Sequence, residues 1–123
     1  MPRILVADDA AFMRMMIREI VEEEGFEVVG EASDGIQAIE RFRELQPDLV
    51  TMDIVMPRKS GIDALKGIMQ LDPKACVVMC SALGQESLVA EALTAGARDF
   101  IVKPFKPASV LATLRKLVEK LEQ

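Results

Sequence analysis

Four short apolar runs of this chain end on residues that can do chemistry. Asp8-Asp9 follow Ile4-Leu5-Val6-Ala7, and Asp53 follows Leu49-Val50-Thr51-Met52. Ser81 follows Cys76-Val77-Val78-Met79-Cys80, and Lys103 follows Phe100-Ile101-Val102. Brought together, three carboxylates, a hydroxyl and an ammonium would make an oxygen-rich crevice. Carboxylates that close raise one another's pKa unless a cation intervenes. Mg²⁺ suits such a place, since it takes oxygen ligands and keeps several waters. The plainer alternative is that the acids cap helix N-termini and Lys103 neutralises them. It explains one or two of these residues, but not all of them arriving at the ends of apolar runs.

The elements that must position them alternate along the chain. Runs apolar on both faces read as buried strands of a parallel sheet, and the run at 49–57 reads as the central one. Between the runs, apolar residues recur at helical spacing. The first helix carries Met13, Met16, Ile17, Ile20 and Val21, up to a break at Gly25. Phe26–Gly30 is a second strand, and Ser33-Asp34-Gly35 a turn. Ile39, Phe42 and Leu45 mark a second helix ended by Gln46-Pro47. Ile62, Leu65, Ile68 and Met69 mark a third, stopped at Asp72-Pro73. The fourth holds Leu88, Val89, Ala92 and Leu93, with Gly96 placed to cap it. A last helix opens at Pro107 and carries Val110, Leu111, Leu114, Leu117, Val118 and Leu121.

Five βα units in strict alternation predict an α/β fold. It is a flavodoxin-like (βα)5 three-layer sandwich with a parallel five-stranded sheet in the order 2-1-3-4-5. In it the polar residues share the carboxyl edge of the sheet, where open α/β sheets place ligands.

Composition narrows the function. At 123 residues the chain is expected to be one domain, 1–123, with no separate output domain. The formal net charge of −5 argues against a nucleic-acid partner. No apolar run approaches the ~20 residues of a membrane span, and the N-terminus lacks a signal-peptide pattern, so a cytoplasmic protein is expected. Cys76 and Cys80 would stand ~13 Å apart along a strand, beyond disulfide reach. They read as small core residues. There is no histidine, which excludes imidazole catalysis, histidine metal sites and a phosphohistidine on this chain.

The order Asp8-Asp9, Asp53, Met56-Pro57, Ser81-Ala82, Lys103-Pro104 resembles the response-regulator receiver domains of two-component signalling over essentially the whole chain. The stretches 8–14 and 99–105 look most like the single-domain chemotaxis regulators, in the form seen in Firmicutes and Thermotogales. The resemblance implies that Asp53 is the phosphoacceptor, taking a phosphoryl group from a histidine of a partner kinase of the chemotaxis type. It implies Mg²⁺ on Asp9 and Asp53 directly, on Asp8 through water, and on the backbone carbonyl of Val55. Lys103 and the Ser81 hydroxyl would each meet a phosphoryl oxygen, and the Lys103–Pro104 bond is expected cis. Self-catalysed phosphoryl transfer and autodephosphorylation are implied, with no separate enzymatic activity.

The signal would leave through the fourth helix, fifth strand and fifth helix, by Ser81, Phe100, Val89 and Lys106. Leu88 and Val89 cannot both centre the buried stripe, and Val89 is expected to be the exposed one. By resemblance the partner there is the flagellar motor switch protein, through a short helix. A dedicated phosphatase and a monomeric state are expected too. Phe100 stands where relatives carry a switch aromatic and has no hydroxyl, so packing alone would hold it inward. An apolar Leu83 and Val55 leave the phosphoryl lifetime open. The alternative within the family is a phosphorelay carrier serving a second histidine. A dehalogenase-type phosphatase would need an acid at Val55, and an FMN binder would place its phosphate against Asp8-Asp9, which repel it.

Overall fold

The computed structural model describes residues 2–122; Met1 and Gln123, the ends of the expected 1–123 domain, lie outside the described residues. Its strands are β1 (Arg3–Ala7), β2 (Glu27–Ala32), β3 (Leu49–Asp53), β4 (Val77–Ser81) and β5 (Asp99–Val102). Its helices are α1 (Ala11–Glu23), α2 (Gly35–Leu45), α3 (Gly61–Leu71), α4 (Glu86–Ala95) and α5 (Pro107–Leu121). All neighbouring strands pair in parallel, as the alternation predicts, and their order β2-β1-β3-β4-β5 is that of the expected flavodoxin-like sandwich. Among the described residues no helix is long and apolar enough to cross a membrane.

Side chains of a strand alternate between faces, and the two faces build two cores. Ile4, Val6, Leu49, Val78 and Ile101 pack with Ile17 and Val21 of α1 and Val110, Leu114 and Leu117 of α5. Leu5, Ala7, Val50, Met52, Val77 and Met79 pack with α2, α3 and α4 through Phe42, Leu65, Ile68 and Ala92. That is why β3 and β4 are apolar on both faces. Cys76 and Cys80 are free and buried in the α1–α5 core, and burial pushes the Cys80 thiol up to about 12.

Local chemistry sets the helix ends. Asp34 and Ser60 cap α2 and α3 by accepting from the backbone N–H of Gln37 and Asp63. Gln46 closes α2 in the left-handed region, where Pro47 forbids another turn. Gly96 caps α4 with φ of 121°, as expected.

Three expectations need correction. The second strand runs two residues further than Phe26–Gly30, because pairing with β1 continues to Ala7 opposite Ala32. Leu121 is exposed rather than core, in the final turn of α5. Val89 is only 8% exposed, and Leu88 is half-buried. The buried stripe of α4 is centred on Val89 and Ala92, three residues apart, while Leu88 leans toward α3 beside Ile54 and Ile62.

Candidate functional site

Register places the reactive residues. Ala7 lies opposite Met52, so the next residues, Asp8 and Asp53, come level at the carboxyl edge. Asp53 in turn lies beside Cys80, and Ser81 beside Val102. Alternation then decides direction. Asp8, Asp53 and Lys103 continue the series Ile4/Val6, Leu49/Thr51 and Ile101, which face α1 and α5. Ser81, Phe100 and Val102 fall on the opposite phase, beside Met79 and toward α4.

The acid cluster is therefore built on one side. Carboxylate oxygens of Asp8, Asp9 and Asp53 lie within 4.8 Å of one another. Asp8 and Asp53 are buried and Asp9 is exposed. Lys103 Nζ bridges two of them, 3.0 Å from Asp8 Oδ2 and 3.2 Å from Asp53 Oδ1. Burial and the neighbouring Asp8 push the Asp53 carboxyl above its ordinary range, against the pull of Lys103. Burial opposes the Lys103 charge, but the hydrogen bond to Asp8 and the field of Asp53 hold its pKa above the ordinary value. One ammonium among three carboxylates leaves an excess of negative charge on hard oxygen donors. That donor set fits a divalent cation such as Mg²⁺.

The pocket is braced by backbone. The N–H of Gly61 donates to the Ile54 carbonyl at 2.8 Å, and a Cβ there would collide with the carbonyl oxygen of Asp53. A Cβ at Gly35 would meet the Lys59 carbonyl in the same way. Only glycine lets α3 and the turn before α2 close on the loop after Asp53. In that loop Arg58, at φ 66°, sets its guanidinium 3.4 Å from buried Asp34. Sequence reasoning missed Gly61 and Arg58, and read Gly35 only as part of a turn. The nearest signal was Ser60-Gly61 ahead of Asp63, a helix start with an N-cap and an acid three residues on. The Lys103–Pro104 peptide bond is cis, as the resemblance implied.

The other predicted residues gather elsewhere. Ser81, Val89, Leu93, Phe100 and Val102 line a cleft of about 290 Å³ between α4 and β5. A second cleft, about 430 Å³, runs between β5 and α5 and is lined by Phe100, Lys103 and Lys106. Phe100 lines both and is 40% exposed, so its ring is turned outward in this conformation. Val89 forms part of the first cleft's wall from a buried position; it does not project from the surface as expected. Val55 is exposed at the start of the loop beyond Asp53.

The chain is similar to known proteins over most of its length. Residues 4–115 match the response regulator receiver domain. The chain is 56% identical to chemotaxis protein CheY of Thermotoga maritima over 94% of its own length and 96% of that protein's. It is 59% identical to chemotaxis protein CheY of Bacillus subtilis, over 93% and 95% of the two chains. Among solved structures, the CheX–CheY complex of Borrelia burgdorferi with BeF3 and Mg²⁺ superposes with a TM-score of 0.90. It shares 39% identity and covers 94% of this chain and 88% of that one.

Proposed function

Because this chain belongs to the response-regulator receiver domains, we propose that it is a chemotaxis response regulator whose Asp53 accepts a phosphoryl group from a partner kinase. The observation that carries this reading is the cluster of Asp8, Asp9 and Asp53 bridged by Lys103. An Asp53 oxygen would attack phosphorus on a phosphohistidine of the partner. The P–N bond breaks, a P–O bond forms, and the imidazole leaves with its electron pair and takes up a proton. Since these 123 residues include no histidine, the donor histidine lies outside them.

Mg²⁺ held by Asp9, Asp53, the Val55 carbonyl and, through water, Asp8 would offset charge on the transferring group. The Lys103 ammonium, already between Asp8 and Asp53, would turn to a phosphoryl oxygen. The Ser81 hydroxyl would meet another from the α4 side. The Borrelia burgdorferi complex, which holds Mg²⁺ and BeF3, supports a cation and a phosphoryl mimic at this pocket. It also supports a partner of the CheX kind. Ser81 moving toward the phosphoryl group would open room for Phe100 to turn in, reshaping the surface that Lys106 flanks. The output partner proposed for that surface is the flagellar motor switch protein.

Intact-mass measurement tests the acceptor. Acetyl phosphate and Mg²⁺ should add one phosphoryl group to the wild type and none to Asp53→Asn. Equal labelling of the variant would overturn the assignment. For the output surface, beryllofluoride should tighten binding of a motor-switch peptide, and Ser81→Ala with Phe100→Ala should abolish the gain.

A further inference from the structure

The loop between β1 and α1 is held by groups that the acid cluster does not account for. The Asp8 N–H donates to the Ala32 carbonyl at 3.0 Å. The Asp8 carboxylate accepts from the Ala10 N–H at 2.9 Å and from Lys103 at 3.0 Å. Its backbone carbonyl accepts from Arg14 Nη1 at 2.7 Å. The Arg14 side chain is only 18% exposed, and its Nε donates to Glu31 Oε1 at 2.8 Å. The second Glu31 oxygen takes Arg18 Nη1, and Arg18 Nε reaches Glu22 at 3.2 Å. A strap of charge-assisted bonds thus runs from β2 through Glu31 and Arg14 to one carbonyl oxygen.

That oxygen belongs to the peptide joining Asp8 to Asp9. The peptide is planar, so holding its carbonyl holds its N–H and sets where the Asp9 backbone stands. Asp9 is the exposed member of the cluster, without the burial that confines Asp8 and Asp53. Its carboxylate meets theirs only if its backbone is correctly turned.

We propose that Arg14, anchored by Glu31, is the positioning residue that aims the Asp9 carboxylate at the cation site. This rests on reading the pocket as a Mg²⁺-assisted phosphoacceptor. Arg14 does not ligate the cation itself, since a guanidinium has no acceptor, and its Nε and Nη1 are turned to Glu31 and the Asp8 carbonyl. Nor is its charge an aid to binding. A guanidinium bonded to the Asp8 carbonyl repels a divalent cation held by the neighbouring carboxylates, so its removal alone should tighten Mg²⁺. Positioning demands the opposite sign.

Amide NMR titration of the full chain with MgCl₂ separates the two, following Asp9 and Asp53 in the wild type, Arg14→Met, Arg14→Lys and Glu31→Gln. Arg14→Met should weaken Mg²⁺ by about tenfold, as loss of a group that orients a ligand does. Arg14→Lys should recover little, because a point charge cannot serve the Asp8 carbonyl and Glu31 together as a planar fork does. Glu31→Gln should weaken binding by a smaller factor. At saturating Mg²⁺, labelling by acetyl phosphate should return close to the wild-type rate in all three. Equal or tighter Mg²⁺ binding by Arg14→Met overturns the proposal. If that variant does not fold, wild-type affinity in Arg14→Lys overturns it instead. A wild type without any Mg²⁺ response at Asp9 and Asp53 would overturn the site reading along with the strap.

Discussion

Two regions of this molecule share one edge of one sheet and are built on opposite principles. On the α1–α5 face, Asp8 and Asp53 are polar groups held out of water and Lys103 is half-buried, each with partners at hydrogen-bond distance. On the α4 face, Leu83, Leu93, Phe100 and Val102 are apolar groups left in water, lining open clefts. Burying charge costs several kcal/mol unless every partner is in place, so the first region admits only arrangements that keep each charge paired. Exposed apolar side chains without tight neighbours lose little by moving, and a contiguous patch of them marks a binding surface. The candidate chemistry therefore sits where the fold is tightly constrained, and the candidate readout sits where it is slack. One residue step along a strand separates the two: Cys80 faces the first region and Ser81 lies on the phase of the second.

The contrast can be broken most forcefully at the glycines. Gly61→Ala would drive a Cβ into the Asp53 carbonyl, with only backbone to yield. Overpacking against a rigid neighbour should cost about 3 kcal/mol or more. Gly84, in the loop that enters α4, has positive φ but open space around it. Gly84→Ala should cost about 1 kcal/mol, from backbone strain alone. Urea denaturation of both variants checks the difference. Equal losses would mean that the two loops are equally constrained.

Two phenylalanines on either side of Lys103-Pro104 give the next contrast. Phe105 is buried in the α1–α5 core and Phe100 is 40% exposed. Phe105→Ala should cost about 3 kcal/mol by leaving a cavity. Phe100→Ala should cost about 1 kcal/mol, since much of its ring is already in water. A cost for Phe100 matching that for Phe105 would show it to be a core residue and not a mobile one.

How much of this was legible beforehand follows the same division. Strand positions and helix periodicity depend on residue type and spacing, and Ile4–Ala7 or Leu49–Met52 can hardly read otherwise, whereas the end of β2 was set by its pairing with β1. The clustering of Asp8, Asp53 and Lys103 follows once the strands are parallel. The face of α4 was legible and misread: at about 100° per residue Leu88, Ala92, Val89 and Leu93 span about 140°, with Ala92 and Val89 at the centre, where the structure buries them. The Arg14–Glu31 strap was illegible. It joins a helix to a strand 17 residues away, and no local pattern encodes which surface charges meet. Nor does composition reveal that Gly61 abuts the carbonyl of Asp53.

Charge in the rigid region gives a pH-dependent test. The pKa of Asp53 is raised in the folded state, by burial first and by Asp8 second. Ionised Asp53 therefore costs stability at neutral pH. That cost fades as pH falls through the raised pKa and is gone below the ordinary value of 3.8. Without Mg²⁺, Asp53→Asn should melt higher than wild type at pH 7, with the two converging in acid. Lys103 keeps Asp8 as a partner, so its ammonium is not stranded. Added Mg²⁺ should stabilise wild type more than Asp53→Asn or Asp9→Ala, because it binds only where the carboxylates converge. A variant melting below wild type at pH 7 would mean that the pocket is not under charge strain.

The smallest effect lies beneath the pocket. Thr51 is two residues before Asp53, on the same face of β3, between Val6 and Val78. Its hydroxyl is buried and has no hydrogen-bond partner among the described residues. An unpaired buried hydroxyl costs free energy, whereas valine of nearly the same shape would sit between two valines without penalty. Thr51→Val should therefore stabilise the protein by about 0.5 kcal/mol, the low end of such costs. If the hydroxyl is only an unsatisfied core group, Mg²⁺ affinity and labelling of Asp53 should not change. A loss of stability, or a fall in Mg²⁺ affinity, would instead place Thr51 in the polar machinery. The rigid region would then extend one layer deeper into the sheet than its charges indicate.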